Sequence, residues 1–118
     1  MPSQKQMRWL SKKTGEVHVM SVKLDLIPPG EILLEEFMKP LNISQNKLSR
    51  DINVPVGRIN DIVHDRRSIT ANTALRLGKF FGTTPDFWLG LQLDYDLRRA
   101  MRDFWPKEEN KVRTIEAA

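Results

Sequence analysis

Cysteine is absent from the 118 residues, which excludes disulfides and thiolate metal sites and agrees with a reducing compartment without requiring one. Histidine is scarce. His18 and His64 are the two, and neither has a plausible serine or cysteine partner for nucleophilic chemistry. No apolar run is long enough for a membrane span or a secretory leader, and no glycine-rich phosphate loop occurs. The adjacent Glu35 and Glu36 would diverge on a helix rather than converge on a metal. The chain is therefore expected to carry no catalytic residues, no metal and no cofactor. An excess of one charge is also nearly missing. The net charge is +4, and Lys5, Arg8, Lys12 and Lys13 against Glu16 supply +3 of it before residue 20, so overall basicity argues little for nucleic acid.

What is present is concentrated between residues 44 and 70, SQNKLSRDINVPVGRINDIVHDRRSIT. Ser44 can cap a short helix with Leu48 and Ile52 inward and Gln45, Lys47, Ser49 and Arg50 outward. Asn53 then suits a left-handed backbone turn without glycine. Pro55 is placed to begin a second helix over 55–63, where its missing amide costs nothing. Ile59, Ile62 and Val63 point to the core, which leaves Val56, Gly57, Asn60, Asp61 and His64 on the opposite stripe, Arg58 at its edge, and Arg66 and Arg67 just past its end. That is the pattern of a helix-turn-helix whose second helix enters a major groove. The alternative, an ordinary helical hairpin with a solvated stripe, needs the turn residue, the proline and the periodicity to coincide. Arg58 and Asn60 suit base edges, since arginine can grip guanine and asparagine adenine, while Gln45, Arg66 and Arg67 suit phosphates. Asp61 repels phosphate. It either accepts from a cytosine amino group, pairs with Arg58 or His64, or lies outside the contact. The charge of 44–69 is locally +2, whereas 24–43 is acidic.

The rest of the chain reads as helices. Pro28, Pro29 and Gly30 open one with Leu33, Leu34, Phe37 and Met38 on one face, stopped at Pro40. Thr70 caps another containing Ala74, Leu75, Leu77, Gly78 and Phe81, stopped at Gly82. Thr84 and Pro85 start the last, which runs through Phe87, Trp88, Leu91, Tyr95, Leu97, Met101, Phe104 and Trp105 to end near Pro106. Trp88 and Tyr95 are assigned to the core. Leu93, Leu97, Met101, Phe104 and Trp105 form a second stripe that a small core cannot cover, which makes this helix the expected seam of a homodimer. Dimerisation also suits the mechanism, because one recognition helix sees only a few base pairs and specific reading needs two half-sites about one turn, roughly 34 Å, apart. The expected architecture is all-α: a flexible extension at 1–23, in which Met20 is an alternative start, a five-helix domain at 24–105 and a polar tail at 106–118.

The order of these helices, together with PPGEILLEEFMKPLNIS, RINDIV, RRSITANTALRLGKFFGT and PDFWLGLQLDYDL, resembles the HigA-type antitoxins, also called virulence-associated protein I, within the lambda-repressor-like (Xre) helix-turn-helix class. The resemblance spans about residues 24–97. It implies a dimer in the bacterial cytoplasm, associated with the nucleoid, that binds double-stranded operator DNA, represses its own operon and neutralises a RelE/HigB-like ribonuclease toxin. His64-Asp65 stands where arginine-glycine is common in that family, and Gly57 where serine is common. Two other functions fit the residues: a stand-alone Xre-type regulator without a toxin, and a protein-binding module that does not use DNA.

Overall fold

A computed structural model describes residues 26–115. The expectations for 1–23 and for Met20 lie outside these residues. Within them every regular element is helical, as expected from the periodicity. Helix α1 begins at Pro29–Ile32, with Pro28 as its cap, and continues as a π-helical stretch over Leu33–Met38. Helices α2 (Gln45–Ile52), α3 (Val56–Val63), α4 (Ala71–Phe81) and α5 (Pro85–Asp103) follow. The five expected helices are joined by a further turn, α6 (Trp105–Glu108), and a 3-10 turn at Glu109–Lys111. This corrects the expected end near Pro106. Proline in the first turn of a helix lacks only an amide that would have no partner there, so it starts α6 instead of stopping the chain.

The helix ends obey local chemistry. The hydroxyls of Ser44, Thr70 and Thr84 accept the backbone N–H groups of Lys47, Thr73 and Phe87. Asn53, with φ 58° and ψ 55°, takes the left-handed turn that ends α2. Asp65 does the same after α3, and Gly82 after α4. One boundary differs from expectation. Pro55 is the cap of α3 and not its first residue; its ψ of 144° is extended, and its carbonyl receives the Arg58 amide. The proline still sets the helix start, one position earlier in the register.

The core forms where all five helices converge. Leu33, Phe37, Met38, Leu48, Ile59, Ile62, Leu77 and Trp88 are essentially inaccessible. Phe37 lies at the centre of an aromatic group, 4.7 Å from Trp88 and 5.1 Å from Phe81, and the Trp88 indole donates to Thr83 Oγ1 at 2.8 Å. One expectation fails at the rim. Ser49 is buried, because its hydroxyl turns back to donate to the Asn46 carbonyl at 2.9 Å and so needs no solvent. Leu75, within the expected helix, is 61% exposed, since Thr73, Ala74, Leu77 and Gly78 form the buried side of that helix. The mount of α3 is unusually close: a Cβ on Gly30 would lie 1.8 Å from the Ile62 carbonyl oxygen. Helix α1 thus touches the backbone of α3 directly.

Candidate nucleic-acid interface

Helix α3 buries Ile59 and Ile62 and exposes Val56 and Gly57, with Asn60 and Asp61 at intermediate depth. This is the face expected from the helical period. No atom approaches within 4 Å of a Cβ built on Gly57, so packing does not call for glycine there. Four of the expected site residues form one polar chain. Asn60 donates from Nδ2 to Gln45 Oε1 at 3.2 Å and accepts at Oδ1 from Arg66 Nη2 at 2.6 Å. Arg66 Nε in turn donates to Asp61 Oδ1 at 3.2 Å. The start of α2, the middle of α3 and the loop beyond it are thereby fixed relative to one another.

The chain also answers the question posed by Asp61. Its partner is Arg66, not Arg58 or His64, because the left-handed Asp65 turns the chain back over the helix end and brings Arg66 N to 2.7 Å from the Asp61 carbonyl. The carboxylate is offset by a neighbouring guanidinium and no longer stands alone against a polyanion. His64 instead places Nδ1 2.8 Å from the Asn60 carbonyl oxygen.

Arg58 sits apart from that chain. It is half-buried, and its Nε is enclosed without an acceptor. It borders an open cleft of about 450 Å³ with Arg67 and Arg76, between the turn of the helix-turn-helix and the start of α4. Ser68, Thr70 and Asn72 contribute neutral polar groups, and no carboxylate lines the cleft. Three guanidinium-bearing side chains beside the amino end of an eleven-residue helix attract an anion by charge and by helix dipole together. A buried cationic donor without a partner is costly in the free protein and is relieved by such a ligand.

Arg76 is the residue that sequence reading missed. Its Nη1 donates to the carbonyls of Ile52 at 2.9 Å and Asn53 at 3.2 Å, and its Nε to Asn72 Oδ1 at 2.8 Å. It closes the end of α2 from a helix 24 residues away, and only its spacing from Asn72 was visible in the sequence. Two further ties hold the 64–69 loop to α5. Tyr95 donates to Asp65 Oδ2 at 2.6 Å while Arg99 donates to the Tyr95 oxygen at 3.1 Å, and Gln92 Oε1 accepts the buried Ile69 amide at 2.8 Å. Burial, reinforced by the Asp65 carboxylate, raises the Tyr95 pKa above its ordinary 10.0.

The expected seam residues Leu93, Leu97, Met101 and Phe104 are all more than half exposed, and Trp105 is half-buried. Leu93, Leu97 and Met101 lie across α5 from Gln92, Tyr95 and Arg99, whereas Phe104 and Trp105, expected on the same helix, fall at its cap and at the start of α6, because α5 ends at Asp103. Among the described residues no helix is long and apolar enough to cross a membrane.

Residues 34–88 match the Helix-turn-helix family. Virulence-associated protein I of Dichelobacter nodosus is 46% identical over 81 residues, covering 69% of this chain and 75% of that protein. An addiction module antidote protein of the HigA family from Coxiella burnetii superposes with a TM-score of 0.71 at 47% identity, over 76% of this chain and 98% of that one. Pseudomonas aeruginosa antitoxin HigA, solved with the higBA promoter, gives a TM-score of 0.73 at 37% identity, over 77% and 99%.

Proposed function

Since the chain belongs to the HigA-type, virulence-associated protein I branch of the helix-turn-helix family, we propose that it is a DNA-binding antitoxin that represses its own operon and neutralises a RelE/HigB-like ribonuclease. The observation that carries the DNA reading is the outward face of α3, polar and preorganised, beside an arginine cleft free of acid. Gln45, Val56, Gly57, Arg58, Asn60, Asp61, Arg66 and Arg67 make this contact. The geometry favours a different division of labour from the one expected on residue type alone. Asn60 and Asp61 aim Arg66 along the groove face, where its guanidinium meets base edges. Arg58 and Arg67 line the cleft, where they grip a backbone phosphate.

The protein acts as a homodimer. Leu93, Leu97 and Met101 of α5, with Phe104 at its cap and Trp105 at the start of α6, are an apolar patch on a small domain, and a second copy covers it while presenting a second recognition helix to the next half-site. Fluorescence anisotropy with the duplex immediately upstream of its own coding region, against a random duplex of equal length, tests the DNA reading. Preference of about a thousandfold or more is expected of specific binding. Equal affinity for both duplexes would refute it. Co-purification with the product of the neighbouring gene tests the toxin, and operator binding without any such partner would favour the stand-alone regulator.

A further inference from the structure

The loop that carries Arg66 and Arg67 is pinned at both ends by one helix. At its start Asp65 is held by the Tyr95 hydroxyl, with Arg99 3.6 Å from the same carboxylate oxygen and its guanidinium over the Tyr95 ring. At its end the amide of Ile69, itself buried, is held by Gln92, whose Nε2 is fixed by Asp96 Oδ1 at 2.9 Å. Gln92, Tyr95 and Arg99 recur at helical spacing along one side of α5, and Leu93, Leu97 and Met101 recur along nearly the opposite side. A single rigid element therefore grips the arginine loop with one face and presents its apolar stripe with the other.

We infer that Gln92 and Tyr95 are positioning residues for DNA recognition, which lock the Arg66–Arg67 loop to the helix that joins two copies and so make the distance between half-sites part of what the protein reads. This rests on the DNA-binding dimer proposed above. Gln92 and Tyr95 touch no DNA themselves. Without these ties the loop would be held by side chains only to α3, through Arg66 with Asn60 and Asp61, and it could adjust to its half-site without moving α5, so that spacing would matter less. With both ends fastened to α5, a shift of one half-site by a base pair has to be absorbed by the subunit seam or by bending DNA.

The test uses the full chain and the upstream duplex, together with versions of it in which one base pair is inserted or removed at the centre. Tyr95→Phe keeps the core ring and removes the tie to Asp65; Gln92→Leu keeps the bulk and removes the acceptor for Ile69. Each variant is expected to lose about tenfold on the native spacing, as for one buried hydrogen bond, and distinctly less on the altered spacings, so that spacing preference shrinks. Leu91→Ala, a buried change on the same helix outside the tie, controls for lost stability and should leave the preference intact. Equal losses on all three duplexes, or the same shrinkage with Leu91→Ala, would overturn the inference alone. A wild-type chain that does not distinguish its upstream duplex from random sequence would remove the functional reading and this inference with it. Amide exchange gives a readout free of DNA: Ile69 should exchange about tenfold faster in Gln92→Leu relative to Leu77, and unchanged exchange would show that the loop was never held there.

Discussion

Replacing Gly30 by alanine adds one carbon at a place where α1 has no room for it. The new methyl would lie 1.8 Å from the Ile62 carbonyl oxygen, 2.6 Å from its carbon and 2.8 Å from Val63 Cα, all of them backbone atoms of the recognition helix that no rotamer change can move aside. Ordinary contact begins at 3.4 Å, so the two helices must separate by about 1.6 Å. That opens the contacts of Ile32, Leu33, Ile59 and Ile62, each at most 4% exposed. Overpacking in a well-filled core costs about 3 kcal/mol at the upper end of its usual range, and the better helix propensity of alanine returns about 1 kcal/mol, leaving a net loss of about 2 kcal/mol or more. Gly57→Ala is the matched control. It adds the same methyl where nothing lies within 4 Å, at a helical residue with ordinary φ, and should stabilise by about 0.5–1 kcal/mol. Urea unfolding of both variants reads the contrast as opposite shifts in midpoint with unchanged slope. In a domain of this size the melting temperature should move by about 4–8 °C for each kcal/mol. A Gly30→Ala protein within 0.5 kcal/mol of wild type, or one more stable than Gly57→Ala, would refute the claim that α1 seats α3 by direct backbone contact.

Arg66→Ala should change base preference in the operator by about 1–3 kcal/mol at one position, while Arg58→Ala and Arg67→Ala weaken all duplexes alike and reduce the salt slope by about 1 each; anisotropy titrations at several salt concentrations decide, and the reverse pattern would restore the division expected from residue type. Leu97→Asp, at a site 57% exposed in one copy, should yield a folded monomer by sedimentation with operator affinity lost, and a dimer persisting in that variant would place the seam elsewhere. Tyr95 is the sole tyrosine, so tyrosinate absorbance follows it alone. Its folded pKa is raised, so the folded and unfolded states both hold the proton well below pH 10.0 and the contribution to stability is whole there; it is lost as pH climbs from 10.0 through the folded value. The stability gap between wild type and Tyr95→Phe should accordingly narrow above pH 10.0, and a titration midpoint at or below that value would contradict the buried bond to Asp65.

The fold was legible because its determinants are local. Ser44, Thr70 and Thr84 accept amides three residues on, Asn53 and Gly82 take left-handed conformations, and the apolar period places Leu48, Ile52, Ile59 and Ile62 inside, all within one helical turn of the residue that signals them. The local departure in burial, Ser49, concerns a residue whose type is compatible with either side of a helix. The site divides differently. That α3 offers its polar face could be read from spacing, but the partners on that face could not, because each tie spans the turn or the loop: Gln45 to Asn60, Asn60 to Arg66, Arg66 to Asp61. Longer-range ties are invisible in sequence altogether. Arg76 reaches Ile52 across 24 positions, Gln92 reaches Ile69 across 23, and Tyr95 reaches Asp65 across 30. They converge on the turn between α2 and α3 and on the loop after α3, not on the exposed face. A surface that reads a rigid duplex needs its side chains held to a fraction of a hydrogen-bond length, and short helices of eight residues are too weak alone to hold them. The tertiary clamps at Ile52, Asp65 and Ile69 supply what α2 and α3 lack, and the geometry of the outward face of α3 accordingly depends as much on α4 and α5 as on α3 itself.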